Sequence, residues 1–181
     1  MAGRGEAVTE RLRCVRPGAA DAGDYQRLFG HPEVGRWLRP PPLEPMTVAA
    51  IELRLARDRA DWDGHGFGPW VLRDRQTGAF VGRAGLAWIT IGGESVVELP
   101  WAVLPGSQGR GYATEAALAA VETARELGLD RVISLTLPEN RASLRVMEKA
   151  GLSRVGPVDH VGLPHVLYEL DLSRPSRSRP P

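Results

Sequence analysis

Ten residues between a predicted strand and a predicted helix have the composition best suited to binding an anion. Segment 104–113 has the sequence Leu-Pro-Gly-Ser-Gln-Gly-Arg-Gly-Tyr-Ala, in which three residues are glycine. Glycine adopts the positive φ angles that turn consecutive backbone N–H groups toward one point, and it has no Cβ to keep a phosphate away. The first N–H groups of the following helix lack partners within that helix and would add to the site. The segment therefore predicts a phosphate or diphosphate cradle.

Two common nucleotide-binding loops fit this segment poorly. The P-loop of NTPases ends in Gly-Lys-Ser/Thr, whereas Gly111 is followed by Tyr112 and Ala113. The Rossmann fingerprint requires glycine or alanine where Thr114 stands, and an acidic ribose partner after a second strand. A sharp strand-to-helix connection with no ligand is the plainer alternative for these glycines.

A different pattern fits the loop better. Gln108, Gly111 and Ala113 form the pattern Gln-x-x-Gly-x-Ala, which resembles the acetyl-CoA diphosphate loop of the GNAT superfamily of N-acetyltransferases. Segment 140–152, Asn-Arg-Ala-Ser-Leu-Arg-Val-Met-Glu-Lys-Ala-Gly-Leu, resembles the second cofactor-binding helix of that superfamily, at the expected distance. The resemblance extends over roughly residues 12–172.

The resemblance is closest to the RimJ/RimL-type enzymes, which acetylate N-terminal amines of ribosomal proteins, judged by residues 17–37 and 98–108. It implies an α+β (mixed α/β) fold, with a mostly antiparallel sheet of six to seven strands. About four helices would flank this sheet, which would be splayed between its fourth and fifth strands. It also implies acetyl-CoA as co-substrate, no metal ion, and direct acetyl transfer to a primary amine. The favoured acceptor is a protein or peptide N-terminal α-amine; a polyamine, an amino acid or an antibiotic is the alternative.

Pro100 interrupts an otherwise well-patterned strand, where a proline removes a ladder hydrogen bond and is normally confined to an edge or a bulge. The resemblance implies a bulge at which strand 97–104 splays from strand 131–137 and leaves a cleft for the pantetheine arm. By the same resemblance, the N–H of Ala102 would polarise the acetyl carbonyl, and Val103 and Leu104 would pair with pantetheine. An edge strand that tolerates a proline is the competing interpretation.

Catalysis would require a neutral amine. An α-amine with a pKa of about 8 is roughly one tenth neutral at pH 7, whereas lysine, near 10.4, is neutral to less than about 0.1%. Glu98 is the leading candidate for the general base, because it precedes the expected bulge and matches a glutamate with that role in several superfamily members. A solvent-facing carboxylate is the alternative. Asp159 and His160 are weaker candidates, since the position that matches the related carboxylate is Gly162.

The leaving thiolate needs a proton donor or a strong hydrogen bond. Many superfamily members have a tyrosine seven residues after the motif asparagine, but here that position is Met147. Ser143 lies three residues after Asn140, on the same helix face, and matches a serine proposed for this role in the ribosomal subfamily. Asn140 would donate to or accept from the pantetheine amides. A serine bonded to backbone is the alternative for Ser143. Asn140 can also cap its helix, and this role is compatible with binding the pantetheine amides.

The resemblance thus assigns two catalytic residues and ten that bind the co-substrate. The catalytic residues are Glu98 and Ser143; the binding residues are Ala102, Val103, Leu104, Gln108, Gly109, Arg110, Gly111, Tyr112, Ala113 and Asn140.

Other chemistries fit less well. Four histidines without zinc-ligand spacing and the single Cys14 do not suggest a metal site, and the chain has no Gly-x-Ser-x-Gly motif. A non-catalytic acyl-CoA sensor is one competing function, because the tyrosine is replaced by Met147. A nucleotide-binding domain is a second. The five tryptophans are assigned mainly to the core.

Hydrophobic periodicity and turn residues predict the elements that would position these residues. Segment 97–137 should form a right-handed parallel strand–helix–strand crossover. The helix within it should bury a stripe of small residues and end at Gly128, the stripe being Ala116, Ala117, Ala120, Val121, Ala124 and Leu127. The predicted strands are 11–16, 69–73, 80–91, 94–104, 131–137, a strand at Val155 and 166–172; the predicted helices are 21–29, a short turn through Trp37, 47–62, 111–127 and 140–150.

Length and charge limit the remaining possibilities. The chain has 181 residues, 43% of them hydrophobic, and a formal net charge of +1, which suits one globular domain and argues against a nucleic-acid partner. The longest purely apolar run, 116–121, is too short to cross a bilayer, and residues 1–10 lack the apolar core of a secretory signal. We therefore expect a cytoplasmic monomer or homodimer with no membrane partner. The expected organisation is a flexible N-terminus (1–9), one acetyltransferase domain (10–172) and a disordered Arg/Pro/Ser tail (173–181).

Overall fold

The computed structural model describes residues 6–173, which form ten strands and five α-helices. In chain order these are β1 (Ala7–Val8), β2 (Leu12–Val15), α1 (Ala22–Phe29), α2 (Pro32–Leu38), α3 (Val48–His65), β3 (Pro69–Asp74), β4 (Phe80–Gly85), β5 (Ala87–Ile91), β6 (Glu94–Glu98), β7 (Trp101–Val103), α4 (Tyr112–Glu126), β8 (Arg131–Thr136), α5 (Arg141–Lys149), β9 (Ser153–His160) and β10 (Leu163–Asp171). The predicted mixed α+β class is therefore confirmed. Strand β1 falls within the segment 1–9 expected to be flexible, while residues 174–181 of the expected tail lie outside the described residues.

The strands form two five-stranded sheets. One has the order β1-β2-β3-β4-β7, and the other has the order β5-β6-β8-β10-β9. All neighbouring strands are antiparallel except β6 and β8, which are parallel and are joined by α4 as the predicted crossover. The counts are higher than the expected six to seven strands in one sheet and about four helices because two long strands are split, β1 is an additional short strand, and the short turn through Trp37 extends into α2.

Both splits have a local cause. The predicted strand 80–91 breaks at Gly85, whose φ of +138° is a conformation that L side chains rarely adopt. A Cβ at Gly85 would also lie only 2.9 Å from the carbonyl oxygen of Gly68. The predicted strand 94–104 breaks at Leu99–Pro100, because proline has no N–H for the ladder. Each long strand thus begins in one sheet and ends in the other.

The helices cover the sheets through two apolar clusters. The larger cluster packs α4 and α5 against strands of both sheets, and the smaller packs α1 and α3 against β3, β4 and β7. The small-residue stripe of α4 is buried as predicted, except that Leu127 is 38% exposed because α4 ends at Glu126. None of the described helices combines the length and apolarity needed to cross a bilayer.

Candidate active site

The loop between β7 and α4 presents a group of backbone amides without protein partners. It makes one 3-10 turn at Pro105–Ser107, and Gly109 and Gly111 then adopt φ angles of +74° and +83°. The first helical hydrogen bond of α4 runs from the Glu115 N–H to the Gly111 carbonyl at 3.0 Å, so the N–H groups of residues 112–114 precede the helical ladder. Within residues 6–173, the N–H groups of 109–111 donate to no carbonyl. The amides of residues 109–114 are therefore available to an anion.

An ion-pair network braces the outer side of this loop. The Arg11 guanidinium donates to the Arg110 carbonyl oxygen at 2.8 Å and lies 2.6 Å from a carboxylate oxygen of Glu115. The Tyr112 side chain is buried, and its hydroxyl donates to Asp74 at 2.8 Å. The side chains of Arg11 and Tyr112 thus hold the loop to the rest of the domain. Sequence reasoning missed Arg11 and Asp74 because their partners lie far along the chain.

The side chain and the backbone of Gln108 each donate a hydrogen bond within the protein. Its side-chain Nε2 donates to the Val103 carbonyl oxygen at 3.0 Å, and its backbone N–H donates to the Pro105 carbonyl oxygen at 3.2 Å. These two bonds hold the loop against the end of β7. Gln108 therefore shapes the loop, and its expected contact with the co-substrate stays a prediction.

A cleft opens between the two sheets at the break between β6, which pairs with β8, and β7, which pairs with β4. Strand β6 pairs in parallel with β8 at Glu98–Ile133, and the Leu99 N–H donates to the Ile133 carbonyl oxygen at 2.8 Å. Beyond Pro100 the chain pairs with β4, while the rest of β8 pairs with β10. The splay thus lies between the fourth and fifth predicted strands, as expected. The two sheets separate at this point and leave one edge of β7 without a neighbouring strand, where the Val103 carbonyl oxygen accepts from Gln108.

The register of β7 against β4 directs the backbone N–H groups of Ala102 and Leu104 toward β4, although both residues were expected to face this cleft. The Leu104 N–H donates to the Val81 carbonyl oxygen at 2.9 Å, so Leu104 turns its polar groups toward β4. In an antiparallel ladder such pairs alternate, and Ala102, opposite Arg83, therefore also faces β4. The N–H groups that face the cleft belong to Trp101 and Val103. The register therefore favours Trp101 over Ala102 for the expected role, because the face of a strand reverses at every position.

Glu98 lies at the end of β6, half-buried, beside a cluster of charged side chains. Burial raises the pKa of its carboxyl to about 6, although the positive charges of Arg83 and Arg54 oppose that rise. Arg83 donates to both carboxylate oxygens of Asp58, at 2.5 and 2.7 Å, and the Tyr25 hydroxyl donates to Asp58 at 2.6 Å. A carboxyl with a pKa near 6 loses its proton below neutral pH and is suited to accept one from an amine.

Ser143 and Asn140 begin α5 on the other side of the cleft. The Asn140 side-chain oxygen accepts a hydrogen bond from the Ser143 N–H at 3.2 Å, so Asn140 caps the helix. The indole N–H of Trp101 donates to the Ser143 hydroxyl oxygen at 3.3 Å. Because an indole nitrogen can only donate, Ser143 keeps its own O–H for another acceptor. Trp101, assigned to the core from sequence, is therefore part of the candidate site.

The remaining candidates are not part of this arrangement. Asp159 and His160 end β9, where the His160 and His165 rings meet edge to face at 5.6 Å. Met147 is fully buried in the larger cluster. Within residues 6–173, no group of three or more His, Cys, Asp or Glu side chains could hold a metal ion.

Comparison with known proteins gives a consistent match. The model of the family described as "Acetyltransferase (GNAT) domain" matches residues 11–153. The uncharacterised protein YkkB of Bacillus subtilis (strain 168) is 30% identical over 179 residues, covering 93% of this chain and 97% of YkkB. The crystal structure of an acetyltransferase from Agrobacterium tumefaciens is similar, with a TM-score of 0.78 and 28% identity over 91% of this chain and 93% of that one.

Two solved structures of lower identity share the fold. The ribosomal-protein-S5-alanine acetyltransferase from Vibrio fischeri has a TM-score of 0.71 at 16% identity, covering 97% of this chain and 99% of that one. The structure of yncA from Salmonella typhimurium, solved with its cofactor acetyl-CoA, has a TM-score of 0.69 at 20% identity, covering 94% and 99%. At these identities, the two structures show only that the fold is shared.

Proposed function

Because the chain belongs to the GNAT acetyltransferase family, we propose that it transfers acetyl from acetyl-CoA directly to a primary amine, with a peptide or protein N-terminal α-amine as the favoured acceptor. The unpartnered amides of residues 109–114, next to an unpaired edge of β7, are the observation that carries this proposal. An anionic diphosphate fits such amides, and an amide-containing pantetheine arm fits an unpaired strand edge. A small-molecule amine is the alternative acceptor.

We assign the binding roles according to strand register. The N–H groups of Gly109, Arg110, Gly111, Tyr112 and Ala113 would donate to the diphosphate. The Val103 N–H would pair with pantetheine, and the Trp101 N–H would donate to the acetyl carbonyl oxygen. That bond would stabilise the negative charge that develops on this oxygen when the amine attacks.

We assign the proton transfer to Glu98 and the stabilisation of the leaving group to Ser143. The neutral amine nitrogen attacks the thioester carbon, and Glu98, directly or through water, takes the proton that this nitrogen loses. The C–S bond then breaks with its electron pair on sulfur, the Ser143 O–H donates a hydrogen bond to the departing thiolate, and the proton held by Glu98 passes through solvent to the thiolate. The second bond made by Ser143, accepted from Trp101, orients the hydroxyl so that its hydrogen points away from the indole.

The acceptor preference rests on two arguments. Residues 17–37 and 98–108 resemble the RimJ/RimL-type enzymes, and similar folds include one that acetylates a ribosomal protein. A carboxyl with a pKa near 6 is also a weak base, which suits an α-amine with a pKa of about 8 better than a lysine near 10.4.

An amine-library screen with mass readout tests the proposed function. The protein, acetyl-CoA and a panel of peptides with N-terminal Ala or Ser, amino acids, polyamines and aminoglycosides are mixed, and acetylated products are identified. We expect acetylation of at least one peptide α-amine. Acetylation of small amines alone would support the alternative acceptor. Tight binding of acetyl-CoA without turnover across the panel would contradict the proposal and identify a sensor.

We expect Ser143→Ala to lower kcat about 10-fold with little change in KM for acetyl-CoA. The loss is moderate because a thiol with a pKa of about 8.5 leaves readily even without a donor. Steady-state kinetics at saturating acceptor measures it. Ser153→Ala, at an exposed serine that begins β9, is the matched control and should keep the original kcat. Equal kcat values for both variants would contradict the role of Ser143.

A further inference from the structure

Arg54, on α3, carries a buried Nε–H that has no acceptor among the described residues, and its charge acts on the candidate base Glu98. Its guanidinium carbon lies 5.0 Å from the centroid of the Phe29 ring, and its Nε atom is buried from solvent. That Nε–H donates to no atom of residues 6–173. A buried donor without an acceptor is unfavourable, because folding has removed its bond to water and supplied no replacement.

The nearby charges do not neutralise Arg54 by direct contact. Arg83 and Asp58 use each other in a two-bond ion pair, and the Tyr25 hydroxyl completes the bonding of Asp58. Glu98 is close enough for the Arg54 charge to counter the burial-driven rise in its pKa. Arg54 and Glu98 nevertheless form no ion pair within the described residues. The cluster therefore holds a cation and a carboxylate that lie near each other with no ion pair between them among the described residues.

This arrangement complements a molecule that carries both an amine and an anion. The amine would approach Glu98, and the anion would approach Arg54. Arginine suits the second role because its planar fork can donate two parallel bonds to a carboxylate, and a half-buried position strengthens such bonds. An acceptor with several positive charges and no anion would instead be repelled by Arg54.

We propose that Arg54 binds a carboxylate of the acceptor, so that the preferred acceptors are amines with a carboxylate a few ångströms away. This inference rests on the proposed acetyl transfer and narrows its acceptor class. The carboxylate has two possible sources. It is the α-carboxylate of a free amino acid, or an acidic side chain in the first residues of a peptide.

Two matched pairs of acceptors test the inference. Alanine against alaninamide probes an α-carboxylate, and Asp-Ala-amide against Asn-Ala-amide probes an acidic side chain. In at least one pair, we expect the member with the carboxylate to have a kcat/KM at least about 10-fold higher than the member without it. The reason is that the acceptor without a carboxylate leaves the Arg54 guanidinium unpaired. In Arg54→Gln this ratio should fall to near 1. In Arg54→Lys, which keeps the charge but loses the fork, it should fall several-fold.

The outcomes separate this inference from the proposed function. Ratios near 1 in both pairs of the unmodified protein, or a ratio unchanged in Arg54→Gln, would overturn the role of Arg54 and leave acetyl transfer standing. No transfer to any of the four compounds or to the wider amine panel, with acetyl-CoA bound, would overturn both. If Arg54→Gln does not fold, the ratios of the unmodified protein and of Arg54→Lys decide the question.

Discussion

Replacing Gly111 with glutamate is expected to weaken acetyl-CoA binding at least about 100-fold, or about 2.7 kcal/mol. Gly111 has a φ of +83°, and a Cβ there would lie 3.3 Å from a guanidinium nitrogen of Arg11. Any L side chain would therefore strain the loop. A carboxylate would in addition place negative charge among the amides of residues 109–114, where it would compete with a diphosphate and repel it. Isothermal titration with acetyl-CoA measures the change.

Gly128→Glu is the matched control for this substitution. Gly128 follows the C-terminal end of the same helix, α4, and has a φ of +72°. The control therefore introduces the same side chain at a comparable backbone conformation, about a helix length from the cradle. We expect Gly128→Glu to lower the melting temperature but to keep its affinity for acetyl-CoA. Full affinity in Gly111→Glu, or an equal loss in both variants, would show that the cradle is wrongly placed.

Replacing Glu98 with glutamine is expected to lower kcat about 100-fold at pH 7.5, within the range typical of a lost general base. Because the pKa of Glu98 is about 6, kcat of the unmodified enzyme should rise with pH through about 6 as the carboxyl loses its proton. Glutamine cannot accept that proton, so the rise of kcat with pH near 6 should be absent from the variant. The measurement is kcat against pH at saturating acetyl-CoA and acceptor. An unchanged kcat in the variant, with the same rise near pH 6, would exclude Glu98 as the base.

Stability provides an independent check on the same variant. Burial raises the pKa of Glu98 in the folded chain from 4.5 to about 6, so the folded state binds this proton more tightly than the unfolded chain. The resulting stabilisation is complete below about pH 4.5 and is lost as the pH rises through about 6. At pH 7.5 the ionised carboxyl therefore lowers the free energy of unfolding, and Glu98→Gln should raise it by at most about 2 kcal/mol. A variant that is slower but more stable cannot owe its loss of activity to unfolding.

Local signals explain the parts of the fold that the sequence predicted well. The two helices that flank the cleft begin and end at residues with strong conformational preferences, such as Gly111, Asn140 and Gly151. Pro100 marked the point where the sheets separate, because a missing N–H is visible in the sequence itself. Gly85 gave no comparable signal, and the division of strand 80–91 between two sheets was missed. A single glycine within an apolar strand is compatible with many conformations.

Features that depend on register or on distant partners could not be predicted in the same way. Whether the N–H of Ala102 or that of Trp101 faces the cleft depends on how β7 pairs with β4. A shift of one residue in this pairing reverses the direction of every backbone N–H and C=O group of the strand. The pair between Arg83 and Asp58 joins residues 25 positions apart, and the surroundings of Arg54 form only when α3 packs beside β3 and β5. One weak signal existed: Arg54 and Asp58 interrupt the buried stripe of α3 that contains Ile51, Leu55 and Trp62.

Comparing the affinities of acetyl-CoA and acetyl-pantetheine tests the central claim most directly. Both compounds carry the thioester and the pantetheine amides, but only acetyl-CoA has the diphosphate that the amides of residues 109–114 would bind. Isothermal titration of the unmodified protein should give a Kd for acetyl-CoA at least about 100-fold lower than for acetyl-pantetheine. Equal affinities for the two compounds would contradict the account, because the loop between β7 and α4 would then contribute nothing to binding.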